Sequence, residues 1–357
     1  MIGQRIRVLV ADDSLTVRRR LCAVLEEDPG IDVVGEAENG SQVIDLCRQF
    51  RPDVITMDMM MPVMSGLAAT EYIMAHFPTP ILIVSSSTNR GELFKTYEAL
   101  AAGAIDVLEK PDGDADDWDQ RFRSTVKLVS RIKVITHPRA RLGNLSPPQP
   151  TAAPVYKGTA QPCRVVGIGA STGGPAAIVD VLRGLPTSFS LPILLVLHIG
   201  NPFAAAFAEW LDGQTPRHVS YARGGEAVAS AAGRVLMAPP DRHMEVAGGH
   251  IRLTSAPERH SCRPSVDVLF ESMARDYGSA AAACLLTGMG RDGASGLLEI
   301  RRAGGHTVAQ DEATSVIFGM PREAVAMGAA QRVLPIAEIG PALAALAPSR
   351  NAEPGKT

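Results

Sequence analysis

Short apolar runs alternate with longer amphipathic stretches along most of the chain. In the first half the runs read IRVLVADD, IDVVGEA, DVITMD, PILIVSSS and AIDVLEKP. Stretches between them, such as SLTVRRRLCAVLEED, place apolar residues at helical spacing. The second half resumes the rhythm with RVVGIG, LPILLVLHI, GRVLMAPP, IRLTS, AAACLLTGM and TVAQD. Alternating strands and helices predict an α/β fold, in which helices cover both faces of a parallel sheet.

A segment rich in proline, glycine and small residues interrupts this alternation. It reads RARLGNLSPPQPTAAPVYKGTAQP and has no apolar period, which is typical of a linker. We therefore predict two doubly wound parallel-sheet domains, both of ordinary domain size. The predicted divisions are a first domain at 1–130, a linker at 131–162, a second domain at 163–349 and a disordered tail at 350–357.

Charge, aromatic content and cysteine usage exclude several classes of function. The net charge of −3 and the 4% aromatic content provide neither a basic surface nor stacking residues, so nucleic-acid binding is not expected. The five cysteines are scattered without CxxC spacing, as in reduced cytoplasmic proteins. No apolar run approaches the ~20 residues that span a bilayer, so direct membrane insertion is not expected.

Charged and polar residues follow four strands of the predicted first domain. Asp12 and Asp13 end the first strand and Asp58 ends the third, while Ser85 and Lys110 end the fourth and fifth. These ends converge on one edge of a doubly wound sheet. Crowded carboxylates favour a bound Mg²⁺, and the lysine and serine suit phosphoryl oxygens.

The segments LVADDS, DVITMDMMMPVMSG and AIDVLEKP resemble the receiver domain of two-component response regulators, over roughly residues 5–125. The resemblance implies a flavodoxin-like fold in which Asp58 accepts a phosphoryl group from a histidine kinase. It implies that Ser85 and Lys110 contact the phosphate. Receivers commonly carry a switch aromatic where this chain has Val107. The implied Mg²⁺ ligands are Asp12, Asp13, Asp58 and the backbone carbonyl of Met60.

The second half begins with VVGIGASTGGPAAI, at residues 165–178, which fits two different templates. The dinucleotide pattern G-x-G-x-x-G is met at Gly167 and Gly169, but its sixth position is Thr172. The next strand ends in His198, where a dinucleotide site would need a carboxylate for the ribose. A nucleotide-dependent oxidoreductase is therefore an alternative that these two departures disfavour.

The same residues contain GASTG, a G-x-S-x-G turn that can project Ser171 as a nucleophile. A serine that merely caps the following helix is the competing interpretation. A nucleophilic serine needs a histidine base oriented by a carboxylate, and His198 and Asp292 follow two further strands. His306 opens a strand, so it lies at the opposite edge. The N–H groups of Met289 and Thr172 are the candidate oxyanion donors.

The blocks GIGASTGGP, RPSVDVLF, LTGMGRDGASGL and FGMPREAV resemble the catalytic domain of chemotaxis response-regulator protein-glutamate methylesterases, over about residues 163–347. The resemblance implies a Rossmann-like α/β domain with the triad Ser171, His198 and Asp292 and no cofactor for the ester chemistry. It implies phosphorylation-regulated hydrolysis of glutamyl methyl esters on methylated chemoreceptors, which releases methanol, and in some members glutamine deamidation. A non-enzymatic binding module controlled by the receiver is the remaining alternative.

Overall fold

The computed structural model describes residues 5–86, 89–111, 116–132, 134 and 162–347. The chain divides into two compact units, Met1–Pro147 and Pro148–Thr357. Most of the predicted linker and all of the predicted tail lie outside the described residues. The predicted domain boundaries therefore stay predictions.

A five-stranded parallel sheet forms the centre of the first unit, in the order β2-β1-β3-β4-β5. Val, Ile and Leu fill its strands, which are almost fully buried in β1, β3 and β4, as expected where helices cover both faces. The doubly wound prediction is confirmed for this unit. The strands are β1 (Ile6–Ala11), β2 (Ile31–Ala37), β3 (Val54–Met57), β4 (Ile81–Ser85) and β5 (Asp106–Glu109).

Five helices connect these strands and lie in two groups. Helices α1 and α5 contact each other, and α3 contacts both α2 and α4, consistent with one group on each face. Four of the helices begin at a Ser or Asn whose side chain accepts a hydrogen bond from the first turn. The helices are α1 (Leu15–Glu26), α2 (Gly40–Phe50), α3 (Gly66–His76), α4 (Arg90–Ala101) and α5 (Asp116–Val129).

A seven-stranded sheet, also parallel throughout, forms the centre of the second unit. Its order is β14-β13-β12-β6-β7-β9-β8, so the chain leaves β6 in one direction to β7 and later returns on its other side as β12. Such a switch point opens a crevice at the carboxyl ends of the strands. The strands are β6 (Val165–Ala170), β7 (Ile193–Leu197), β8 (Val219–Tyr221), β9 (Val235–Met237), β12 (Ala281–Leu285), β13 (His306–Gln310) and β14 (Arg332–Leu334).

Helices pack on this second sheet from both sides. One group joins α8, α9 and α10, and the other joins α6 and α11. The first group buries Val266, Leu269 and Phe270 against the sheet in a continuous apolar core. The helices are α6 (Gly174–Gly184), α7 (Phe207–Gln214), α8 (Val266–Tyr277), α9 (Ala294–Arg302), α10 (Met320–Ala326) and α11 (Ile336–Ala344).

A separate antiparallel hairpin departs from the simple strand–helix alternation. Strands β10 (His243–Ala247) and β11 (His250–Thr254) pair only with each other in the described sheets. The run IRLTS therefore belongs to this hairpin and not to the parallel sheet. The hairpin packs against α8, with Val246 N–H donating to Ser272 Oγ at 2.9 Å.

Candidate active site

Three loops of the second unit meet at the carboxyl edge of its sheet. Ser171 follows β6 directly and His198 follows β7 directly, and the backbone N–H of His198 donates to Ala170 O at 3.0 Å. The N–H of Ser171 donates to Thr287 O at 3.1 Å, which joins the serine turn to the loop that follows β12. Asp292 lies later in that same loop. These loops lie on both sides of the switch point next to β6, where the chemistry of such folds is expected.

His198 and Asp292 are in direct contact. Nε2 of the imidazole lies 2.9 Å from Oδ2 of the carboxylate, and both side chains are largely enclosed, with 14% and 2% exposed. Because an ionised carboxylate can only accept, Nε2 carries the proton of this hydrogen bond. In the neutral ring the lone pair is then on Nδ1, where a proton can be accepted.

The amino end of α8 fixes the carboxylate of Asp292. Oδ1 accepts from Ser265 Oγ at 2.7 Å and from the N–H of Asp267 at 3.1 Å. Oδ2 accepts from the N–H of Val266 at 2.7 Å, in addition to His198. A helix amino end offers free N–H groups and a partial positive charge, so it stabilises a buried anion. The carboxylate is therefore held in place by four donors.

The pKa values of the pair move in opposite directions. Burial disfavours the charged form of His198, but hydrogen bonds with Asp292 and Cys262 outweigh it and raise the pKa of the imidazole to about 9. For Asp292 burial acts to raise the pKa, and hydrogen bonds from His198, Ser265 and Val266 overcome it, so the pKa of the carboxyl lies below its usual range. The pair therefore favours an ionised carboxylate beside a strongly basic imidazole.

Ser171 and His198 follow adjacent strands, but the Ser171 hydroxyl does not bond to the imidazole. Within residues 162–347, no hydrogen bond joins the Ser171 side chain to His198. The structure thus brings His198 and Asp292 together and places Ser171 on the adjacent strand end. Contacts of this kind often form only when substrate is bound.

The two candidate oxyanion donors lie in the loops that follow β6 and β12. Thr172 belongs to the same turn, and its carbonyl accepts from Thr287 Oγ1 at 3.0 Å. Met289 is 52% exposed, and no bond from its N–H is seen among residues 162–347. The Thr287 hydroxyl also accepts a hydrogen bond from the N–H of Ile317 at 2.9 Å. Thr287 therefore connects its own loop to the Ser171 turn and to the segment that contains Ile317. The sequence analysis assigned no role to this threonine, although it lies within the quoted block LTGMGRDGASGL.

Two further residues of the site carry no signal of their own in the sequence. Ser265, inside the block RPSVDVLF, caps α8 and donates to Asp292. Cys262 places Sγ 3.7 Å from Nδ1 of His198. A third residue, His243, is buried and accepts the N–H of Ser265 on Nδ1 at 3.2 Å.

The glycines of GIG are needed for packing. A Cβ on Gly167 would lie 2.8 Å from the ring of Phe270, and one on Gly169 would lie 2.3 Å from Val266. Both partners belong to α8, which covers this part of β6. In a dinucleotide site the second glycine, here Gly169, would instead let the backbone approach a pyrophosphate. Its cover by Val266 therefore disfavours the oxidoreductase alternative.

In the first unit the predicted cluster of carboxylates is assembled. Asp12, Asp13 and Asp58 each offer an oxygen, and these oxygens lie within 4.8 Å of one another. Nζ of Lys110 lies 2.9 Å from Asp12 and 3.1 Å from Asp58. Burial raises the pKa of Asp58 to about 6, with Lys110 opposing this effect and Asp12 adding to it. This crowding is what a divalent cation would relieve.

The remaining residues expected at this edge lie in different environments. Ser85 is buried, and its hydroxyl has no partner among the described residues, as a group that awaits a phosphoryl oxygen would be. Met60 is 41% exposed, and Lys95 Nζ lies 3.4 Å from its sulfur. Val107 is half-buried, pairs with Ile83 and packs against the core of this unit.

Comparisons with known proteins agree with both units. Residues 8–118 match the family model described as response regulator receiver domain, and residues 166–343 match the model described as CheB methylesterase. Together with the two parallel sheets, these matches define a response regulator whose second unit is an ester hydrolase. The chain belongs to the CheB methylesterase family.

Curated relatives match nearly the whole chain. A protein of Anaeromyxobacter dehalogenans named protein-glutamate methylesterase/protein-glutamine glutaminase 2 is 46% identical over 95% of this chain and 96% of its own. One of Nitrosospira multiformis, named protein-glutamate methylesterase/protein-glutamine glutaminase, is 43% identical over 97% and 98%. The crystal structure of the Thermotoga maritima CheB methylesterase catalytic domain is 35% identical, with a TM-score of 0.49, and covers 52% of this chain and 98% of its own.

No helix within the described residues combines the length and apolar character that crossing a bilayer requires.

Proposed function

We propose that this protein hydrolyses glutamyl methyl esters on chemoreceptors, with Ser171 as nucleophile, and that phosphorylation of Asp58 regulates the reaction. The observation that carries the proposal is the 2.9 Å contact between His198 and Asp292 at the strand edge that also presents Ser171. The names and the near-complete coverage of the relatives support the substrate class.

The proposed reaction uses Nδ1 of His198, the ring nitrogen that faces Cys262 and not Asp292. Ser171 Oγ attacks the ester carbonyl as its proton passes to Nδ1, while Asp292 holds Nε2–H and stabilises the imidazolium. Collapse of the tetrahedral intermediate expels methoxide, which takes the proton from Nδ1 and leaves as methanol. Water then attacks the glutamyl–serine ester by the same route and regenerates both side chains.

The negative oxygen of each intermediate needs donors that are already in place. The N–H of Met289 is the leading candidate because it lies in an exposed loop without a partner in residues 162–347. Thr172 is the second candidate because it follows the nucleophile in the same turn. Loss of one such donor typically costs about 2.7–4 kcal/mol of transition-state stabilisation.

The same acyl-enzyme route can act on glutamine side chains. An amide carbonyl in place of the ester would release ammonia and leave the same glutamyl–serine ester. The relatives' names include protein-glutamine glutaminase, which supports this second activity.

For the receiver unit the proposed phosphodonor is a histidine kinase. Asp12, Asp13, Asp58 and the Met60 carbonyl would hold Mg²⁺, which would supply positive charge beside the phosphoryl oxygens. Lys110 already forms ion pairs with the buried carboxylates of Asp12 and Asp58, so its ammonium group can pair with the phosphoryl group once that carries the charge. The Ser85 hydroxyl is available for another phosphoryl oxygen.

The proposed setting is the cytoplasm, where the methylated region of a chemoreceptor and its kinase would be encountered. All five cysteines are free thiols, and four of them are buried, which suits a reducing compartment.

The deciding experiment measures methanol release from methylated receptor membranes by the full chain. We expect Ser171→Ala to reduce the rate at least 10³-fold, because the covalent route is lost. Ser230→Ala is the matched control. Within residues 162–347 the hydroxyl of this exposed serine bonds only to the local carbonyl of Ala227, so the substitution should leave the rate unchanged. Methanol release that survives in Ser171→Ala would refute the proposed nucleophile.

A further inference from the structure

Cys262 differs from the other four cysteines in its surroundings. Cys22, Cys47, Cys163 and Cys284 are buried, whereas Cys262 is partly exposed at the edge of the catalytic site. Its sulfur lies 3.7 Å from Nδ1 of His198, the nitrogen that does not bond to Asp292. The ester hydrolysis described above gives this thiol no role.

We propose that Cys262 and His198 form a binding site for a zinc-type transition-metal ion, which on binding inhibits the esterase by occupying Nδ1 of the imidazole. Thiolate sulfur and imidazole nitrogen are the ligands such ions prefer. The inhibitory consequence rests on the proposed role of His198, but the metal site itself does not.

The geometry of the two ligand atoms suits a tetrahedral ion. With Zn–S near 2.3 Å and Zn–N near 2.0–2.1 Å, a tetrahedral angle separates sulfur from nitrogen by roughly 3.5 Å. The separation found is 3.7 Å, so little movement is needed. Because both side chains are partly exposed, water or another small ligand can complete the coordination.

Asp292 supports this site without binding the ion directly. Its two oxygens each accept two hydrogen bonds already, so neither needs to leave its partners. Its bond to Nε2 holds the proton on that nitrogen and turns the lone pair of Nδ1 toward the sulfur. A carboxylate–histidine–metal relay of this kind orients the imidazole and increases its basicity.

The turn that carries Cys262 is fixed by an ion pair and by hydrogen bonds. The guanidinium of Arg259 donates two hydrogen bonds to the carboxylate of Glu271, at 2.7 and 2.6 Å. Nε2 of His260 lies 3.1 Å from the carboxylate of the buried Asp267. Backbone hydrogen bonds in both directions join Arg259 to Cys262. The sulfur is thus positioned before any ion arrives, which reduces the ordering cost of binding.

Cobalt(II) gives a direct test, because a thiolate ligand produces an ultraviolet charge-transfer band that oxygen ligands do not. The reduced full chain is titrated with Co²⁺ in excess Mg²⁺, which occupies the carboxylate cluster of the first unit. We expect the band to appear with the wild type and to be bleached by Zn²⁺. It should be absent in Cys262→Ala and present in the matched control Cys22→Ala.

Two further measurements separate the metal site from the ester chemistry. Asp292→Asn should bind zinc about 10–100-fold more weakly, as removal of a relay carboxylate does. Zinc should inhibit wild-type methanol release, a chelator should restore it, and Cys262→Ala should resist the same zinc concentration. An unchanged cobalt band in Cys262→Ala, or no band in the wild type, would overturn the metal site, whatever the role of Ser171.

Discussion

At the scale of single residues, His198 is the centre of the catalytic unit. Its two ring nitrogens face different partners, with Asp292 on Nε2 and Cys262 on Nδ1. The proposed reaction needs Nδ1 free to accept the Ser171 proton, so the thiol contact must give way when substrate binds. In the proposed reaction Ser171 Oγ replaces Cys262 as the partner of Nδ1.

The raised pKa of His198 predicts an alkaline activity profile. Only the neutral imidazole accepts the serine proton, so in metal-free buffer the kcat/KM for ester hydrolysis should rise with pH through about 9. Asp292→Asn removes the main partner that raises this pKa and should move the rise to lower pH. A wild-type profile that is already flat above the ordinary histidine value of 6.5 would contradict this expectation.

The same shift links protonation of His198 to folding. A folded-state pKa above the unfolded value means that the native chain binds the proton more tightly. This contribution to the free energy of unfolding is full below pH 6.5 and is lost as the pH rises through about 9. Urea unfolding of the wild type should therefore show a decline over this range that is smaller in His198→Gln.

Ser265 has two roles, because it caps α8 and also donates a hydrogen bond to Asp292. Ser265→Ala should cost about 0.5–2 kcal/mol of stability through the lost cap. It should also slow methanol release, because Asp292 loses one of its four donors. Ser65→Ala removes a comparable cap from α3 in the first unit, and without phosphodonor it should leave the rate of methanol release unchanged.

At the scale of elements, the close packing of α8 on β6 positions the carboxylate of Asp292. Gly169→Ala would place a Cβ 2.3 Å from Val266 at the start of that helix. We expect a loss of about 1–3 kcal/mol in the free energy of unfolding of the second unit, with slower methanol release.

Gly213→Ala is the matched control for this packing. Nothing lies within 4 Å of the added methyl group, and alanine is favoured in a helix by about 1 kcal/mol. Its stability should be equal to or above that of the wild type. Equal effects of the two substitutions would show that α8 does not depend on the glycine.

The parallel strands were predictable because each is a buried apolar run between helical segments. Strands β8 and β14 were not predicted, because each has only three residues and is partly exposed at an edge of the sheet, whereas the equally short β9 is fully buried and apolar. The hairpin β10–β11 was missed because IRLTS resembles the other runs, while its pairing partner begins with a histidine and carries a glutamate. Short or mixed strands depend on tertiary pairing more than on their own pattern.

The site was predictable to the extent that its residues end strands. His198 and Asp58 follow their strands immediately, and parallel topology alone brings such positions to one edge. Cys262 and Ser265 come instead from the approach to α8, and their contacts depend on where that helix packs. No local pattern in HSCRPSVD indicates that its sulfur and hydroxyl meet a histidine and an aspartate from distant strands.

At the scale of the whole molecule, the proposed phosphorylation site and the proposed catalytic site lie on separate sheets. A test of regulation must therefore modify the first site and measure activity at the second. A small-molecule phosphodonor with Mg²⁺ should increase methanol release by the wild type. The Asp58→Asn variant should show no increase, and chelation of Mg²⁺ should abolish the increase in the wild type. Asp32→Asn, at an exposed aspartate of β2, is the matched control and should respond as the wild type does. An increase that persists in Asp58→Asn would refute the phosphoacceptor assignment.

The glycines beneath α8 also bear on how such enzymes can diverge. A larger residue at Gly167 or Gly169 would push away the helix whose amino end holds the Asp292 carboxylate. Substitutions at these two glycines of β6 would therefore disturb the contact between Asp292 and His198 without replacing any reacting atom. Descendants that have lost the esterase should consequently include chains with a larger residue at one of these two positions and an intact serine.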